Sequence, residues 1–184
     1  MFEWLFNLLR DRRGASRRGP FPEGAPSLDP YPTPDTARDW DDASLFAAAG
    51  CASALRYGKV GFENLNDVER SLCCLYLLEA EVNNGGFGQW IWNVCPNSAT
   101  ATPVVLRMIG AIEMASFIAD VLLLMGDVKP LKSKEEWIEH YHALPDEVHD
   151  HMETLTRPFL ELEEPFLELA YSYTRANWEA VQTA

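Results

Sequence analysis

Glu81-Val-Asn-Asn-Gly-Gly-Phe-Gly-Gln-Trp-Ile-Trp-Asn93 decides how this chain folds. Ahead of it, residues 68–78 are apolar almost all round, the pattern of a buried helix. Asn84, Gly85 and Gly86 then tolerate positive φ, so the helix stops and the chain turns sharply. Phe87, Trp90 and Ile91 follow at offsets of three and four, which predicts a short second helix with one apolar face. Glycine for the turn, amides for orphan backbone groups and aromatics to bury together make a structural corner.

Working outward, helix signals recur and alternating strand patterns do not. Asp41 or Asp42 caps a helix through Leu45, Ala49, Ala52 and Leu55, with Gly58 as its stop. Asn66 and Glu69 have capping-box spacing, and so do Ser133 and Glu136. Pro103 suits the first turn of a long core helix reaching about Met125, with an Ala111, Ala115, Ala119 stripe for close packing. Arg107, Glu113 and Asp120 in that segment argue against a membrane span. Trp137, Tyr141 and Leu144 mark a further helix, Val148, Met152 and Leu155 another, and Pro158 and Pro165 are expected to break the remainder into short pieces. The fold class expected is all-α, a single-domain irregular orthogonal helical bundle. Residues 41–184 form that acidic domain, behind an apolar, Arg-rich segment at 1–18 and a Pro-rich linker at 19–40.

The corner resembles the signature of a bacterial family first catalogued as a domain of unknown function. The matching residues are Glu81, Asn83, Asn84, Gly85, Gly86, Phe87, Gln89, Trp90 and Asn93, and the resemblance extends loosely from residue 41 to about 180. The best-understood members of that family are acidic, all-helical DNA mimics that occupy the DNA-binding surface of a transcriptional regulator or nucleoid protein. The resemblance therefore implies a non-enzymatic role in transcription regulation, with a basic DNA-binding protein as partner.

Charge agrees with that implication. The net charge is −13, and residues 1–18 hold five arginines against two acids, a net of +3, which leaves −16 for the rest. Between Glu135 and Glu168 eleven acidic residues face the single Arg157. Such a field repels nucleic acid and draws basic partners, so no direct nucleic-acid binding is expected. The partner-binding residues expected are Asp146, Glu147, Asp150 and Glu153 in one row and Glu161, Glu164 and Glu168 in another. The second row recurs at i, i+3 and i+7, one face of a helix if Pro165 leaves it uninterrupted.

Other functions find less support. All four histidines lie between His140 and His151, beside Asp146, Glu147 and Asp150, which raises a metal-dependent enzyme as the alternative. The pairs His140/His142 and His149/His151 have i, i+2 spacing and diverge by about 200° on a helix. No catalytic residue, metal site or cofactor is expected. Cys51, Cys73, Cys74 and Cys95 have neither zinc nor disulfide spacing and read as reduced thiols of a cytoplasmic protein. Phe2, Trp4, Leu5, Phe6, Leu8 and Leu9 precede the arginines, the reverse of a secretory signal and far too short to span a bilayer. Membrane-surface contact by residues 2–18, as an adaptor, and homodimer formation stay open.

Overall fold

The structure, a computed structural model, describes residues 39–128 and 133–182. The expectations for residues 1–18 and for most of the linker lie outside them. Among the described residues the chain is all-α, with no strand. The helices are α1 (Asp42–Val60), α2 (Asp67–Asn93), α3 (Pro96–Ile109), α4 (Ile112–Leu124), α5 (Lys134–His142), α6 (Asp146–Leu160) and α7 (Phe166–Asn177), with 3-10 turns at Phe62–Asn64 and Trp178–Ala180.

The central element is α2. Every residue from Leu72 to Leu78 is buried, because apolar side chains surround the helix and neighbours cover it on all sides. The helices α1, α3 and α6 make its most extensive contacts. One apolar core draws residues from every helix, with a small satellite of Leu45, Trp178 and Trp40 where the chain enters α1. All four cysteines are free, and Cys51, Cys73 and Cys74 are buried. Burial pushes Cys51 up to about 11 and Cys74 up to about 12, so these thiols behave as small core residues.

The helix starts follow the capping chemistry. Asp41 caps α1, accepting from the Ser44 N–H at 2.9 Å and the Ser44 hydroxyl at 2.8 Å. Both capping boxes are formed, Asn66/Glu69 on α2 and Ser133/Glu136 on α5. Several boundaries differ from expectation. Helix α1 runs past Gly58 to Val60 and ends at Gly61. The long helix expected from Pro103 to Met125 is two helices, and Pro103 lies inside the first, whose N-terminal turn holds Pro96 instead. Gly110 takes a left-handed conformation (φ 93°, ψ 4°), and the Gly110 and Ala111 N–H groups donate back to Arg107 and Leu106. That is a Schellman-type stop, which turns the chain before α4 begins. Of the alanine stripe, Ala115 and Ala119 therefore fall on α4 and Ala111 immediately precedes it, and the role of core helix belongs to α2. Pro158 causes no break; α6 continues through it to Leu160. No helix among the described residues is long and apolar enough to cross a membrane.

Candidate partner-binding face

The glycine corner sets the geometry of this face. Within α2, Gly85 (φ −154°, ψ 25°) and Gly86 (φ 73°, ψ −169°) depart from helical geometry and split it into a long and a short helix. Gly86 lies in a region of backbone space that only glycine occupies readily. The fully buried Glu81 carboxylate ties the two pieces together, with one oxygen accepting from Gln89 Nε2 at 2.7 Å and Asn93 Nδ2 at 2.8 Å. Those amides thus hold a side chain, not the orphan backbone groups expected of them. Asn83 does bond backbone, donating to the Glu79 carbonyl at 2.7 Å. Phe87 is buried against Phe117 of α4, Phe159 of α6 and Trp90, so one ring joins three helices.

Helix α6 rests directly on the corner. The Phe87 N–H donates to Thr156 Oγ1 at 3.2 Å, and a Cβ added to Gly86 would come within 2.7 Å of that hydroxyl and 3.4 Å of Glu153 Oε2. Absence of a side chain at residue 86 is what lets α6 approach. Helix α5 hangs from the short helix through Trp137 Nε1, which donates to the Ile91 carbonyl at 2.8 Å, and Lys134 Nζ, which donates to the Asn93 carbonyl at 3.2 Å. Burial holds the Lys134 ammonium below its ordinary value, against the opposing pull of Cys95, Glu81 and Glu135.

The first acidic row is present on α6. Asp146, Glu147, Asp150 and Glu153 are all exposed; Asp146, Asp150 and Glu153 follow one another at steps of four and three residues, about 6 and 4.5 Å of helix rise, and Glu147 stands next to Asp146. Acids in the first turn also favour the helix dipole, which accounts for Asp146 and Glu147 as helix stabilisers.

The second row is not a row. Helix α6 ends at Leu160 and α7 begins at Phe166, so Glu161, Glu164 and Glu168 share no helix. Pro165 does interrupt the segment, and the three carboxylates go to different places. Glu161 pairs with Arg157 at 2.8 Å on the surface. Glu168 is exposed near Tyr171, whose hydroxyl is raised above its ordinary value by burial and then by Glu79, Glu168 and Asp41. Glu164 is a structural cap: its two oxygens accept the N–H groups of Glu113 at 3.0 Å and Met114 at 2.8 Å, satisfying the start of α4. Glu164→Ala is accordingly expected to destabilise the fold by about 1–2 kcal/mol. Glu161→Ala, which breaks only an exposed pair, should stay within about 0.5 kcal/mol of the parent. Chemical denaturation of the two variants checks this; equal midpoints would remove the capping role.

Three of the histidines are held by backbone or aromatic neighbours. His140 Nε2 donates to the Met125 carbonyl, His142 packs edge-on against Trp92 at 4.9 Å, and His149 packs against Tyr141 at 4.6 Å. Among the described residues no group of three or more His, Cys, Asp or Glu side chains is arranged to hold a metal ion.

Three contributors to the face escaped the sequence reading: Thr156, Tyr141 as a surface group, and Trp92. Tyr141 reaches across to Gly88, where an added Cβ would meet its hydroxyl at 3.0 Å. Trp92 is 44% exposed, whereas Trp90 and Trp137 are fully buried. A signal existed for Trp92, since it stands two residues after Trp90, about 200° round the helix.

Comparison with known proteins adds one finding: the model of a family described as DMP19-like protein matches residues 63–177, the span from the first 3-10 turn to the end of α7. No curated protein and no solved structure matches the chain.

Proposed function

This chain belongs to the DMP19-like protein family, and we propose on that premise that it is a non-enzymatic DNA mimic, binding the DNA-contacting surface of a basic transcriptional regulator or nucleoid protein. The observation that carries the reading is the row of four exposed carboxylates on α6, seated on the rigid glycine corner. A fixed row of negative charge presents to a basic protein what a phosphate backbone presents: closely spaced anions on a stiff support. Stiffness matters because a pre-ordered face spends little conformational entropy on binding. The four residues on α6 take over the role that the sequence assigned to seven. Glu161 and Glu168 contribute only to the general acidic field, and Glu164 belongs to the fold.

The test begins with capture of a partner from native lysate at low salt and its elution with a salt gradient. Affinity for the purified partner should fall steeply as salt rises, because exposed charge pairs are screened over about 10 Å at 0.1 M. Duplex DNA should compete with this protein for the partner. Replacing Asp146, Glu147, Asp150 and Glu153 together by their amides should weaken binding by about tenfold or more, while Glu168→Gln changes it less than about twofold. A partner that holds DNA and this protein at the same time would overturn the mimic reading.

A further inference from the structure

Around Gly110, where α3 stops and α4 starts, apolar side chains face solvent. Val104 (64% exposed) and Met108 (55%) stand four residues apart on one face of α3, and Ile112 (53%) opens α4. Met108 and Ile112 each lie two residues from Gly110, so their Cα atoms are within about 7.6 Å of its own. From the other side α7 brings the half-buried Leu169, whose Cδ2 lies 3.8 Å from where a Gly110 Cβ would stand. Three carboxylates rim that end of the patch: Glu113 next to Ile112, Glu168 next to Leu169, and Glu164, bonded to the first N–H groups of α4. Arg107 stands beside Met108. Grouped apolar surface with a polar rim marks an interaction site, whereas singly scattered apolar residues do not.

The chain itself holds a segment of matching chemistry. Phe2, Trp4, Leu5, Phe6, Leu8 and Leu9 are apolar, and Arg10, Arg12, Arg13, Arg17 and Arg18 follow directly. The point where the chain enters the domain is held on α7: Trp40 packs with Leu45 and Trp178, and Arg175 donates to the Trp40 carbonyl and to Asp42. Arg175 is six residues from Leu169, about 9 Å along α7. Residues 19–38, with six prolines, cover about 25 Å as a coil and about 60 Å as extended polyproline, so the reach suffices. A second copy fits the patch less well. It brings the same excess of carboxylate to the rim, and three exposed side chains fall short of the roughly 20–30 residues that each side of a stable interface buries. A tethered segment needs less surface, because its linker holds it at about millimolar effective concentration.

We propose that residues 2–18 dock on this patch of their own domain. The apolar run covers Val104, Met108 and Ile112, and the arginines that follow engage Glu113 and Glu168. Arginine suits this rim, since its fork engages a carboxylate with two bonds and its weak hydration lowers the desolvation cost. Glu164, committed to the N–H groups of α4, supplies field only. Arg107 repels the basic end, which fixes the orientation: the apolar residues lie toward Val104 and the arginines toward α7.

The experiment uses the full chain with the photoreactive residue p-benzoylphenylalanine in place of Trp4, irradiated at low salt and mapped by peptide mass spectrometry. Cross-links should fall on residues 104–112, Met108 foremost, because excited benzophenone abstracts hydrogen readily beside sulfur. In a mixture of isotopically light and heavy protein they should join residues of one chain. Met108→Gln/Ile112→Gln should cut the yield about fivefold or more, and since both side chains are exposed the melting temperature should stay within about 2–3 °C of the parent. Tryptic cleavage after Arg10–Arg18 in the full chain gives a second reading, about fivefold slower in the parent than in that double variant. Glu113→Gln/Glu168→Gln, or salt raised to about 0.5 M, should speed parental cleavage about twofold or more. Parental cleavage as fast as the apolar double variant's, or cross-links scattered away from the patch, overturns the inference. Cross-links joining light to heavy chains would assign the patch to a second copy, and protection seen only with anionic vesicles would assign the segment to a membrane surface; either result overturns intramolecular docking.

Discussion

Gly86→Val is expected to destabilise the protein by on the order of 4 kcal/mol, a fall of roughly 10 °C in melting temperature for a chain of this size. Two costs combine. At φ 73° and ψ −169° the backbone of residue 86 sits where a side chain is strained whatever space surrounds it, and a β-branched one most of all. The new Cβ would also stand 2.7 Å from Thr156 Oγ1, so α6 must shift away from the corner and loosen the Phe87 N–H bond to that hydroxyl. Gly85→Ala is the informative companion. Its φ of −154° suits any residue, and the atoms nearest the added methyl belong to the Gln89 side chain, Oε1 first among them. Gln89 can swing aside at the expense of its bond to Glu81, which should cost about 1–2 kcal/mol. Thermal melting of both variants measures the contrast. A Gly86→Val protein that melts within 2–3 °C of the parent, or one no worse than Gly85→Ala, would remove the corner as the element that seats α6. Because the acidic row depends on that seat, the surviving folded fraction of Gly86→Val should also bind the partner more weakly.

Local chemistry is what the sequence made legible. The Asp41 cap and the Asn66/Glu69 and Ser133/Glu136 boxes turn on residues within four positions of one another, the glycine stop of the corner on adjacent ones, and all are formed. The all-α class followed from the same short-range periodicity. What was lost depends on contacts between distant residues. Glu164 reads as one more surface acid until α4, some fifty residues earlier, is found to place two bare N–H groups against it. The division of the expected long helix at Gly110 was hidden because a single glycine in an apolar run is compatible with continuation or with a stop; the decision lies in the packing of α3 and α4. Pro158 misled in the opposite sense. A proline in the last turn removes only one donor, and α6 needs just two further residues before it ends. Of the candidate face, the carboxylates of α6 were legible as charge, but the packing of the Trp92 and His142 rings was not, since α5 and the short helix meet only in three dimensions.

Glu69→Ala is the second large expected effect, about 3–5 kcal/mol, and it concerns the far end of α2. Glu69 is fully buried and serves three partners at once. Its carboxylate accepts the Asn66 N–H at 2.9 Å within the capping box, the Gln182 N–H at 3.0 Å from the C-terminal segment, and Arg56 Nε of α1 at 3.1 Å. The Asn66 amide adds a bond from the same turn to the Ala180 carbonyl at 2.9 Å. One side chain thus knots the end of α1, the start of α2 and the C-terminal turn. Removing it leaves two backbone donors and a partly buried guanidinium without their acceptor, and a stranded charge is costlier than the ion pair was favourable. The double variant Arg56→Met/Glu69→Leu should therefore recover part of the loss, because it removes the charge together with its acceptor and fills the space with apolar atoms. Chemical denaturation of the two single variants and the double variant gives the coupling directly. A Glu69→Ala protein within about 1 kcal/mol of the parent, or a double variant worse than both singles added together, would sink this account. Seventeen residues separate Glu69 from Gly86, about 25 Å along the helix axis, so folded Glu69→Ala protein should bind the partner with parental affinity. That separation makes the pair of glycine and glutamate variants diagnostic: both lower stability, and only the one at the corner should lower binding.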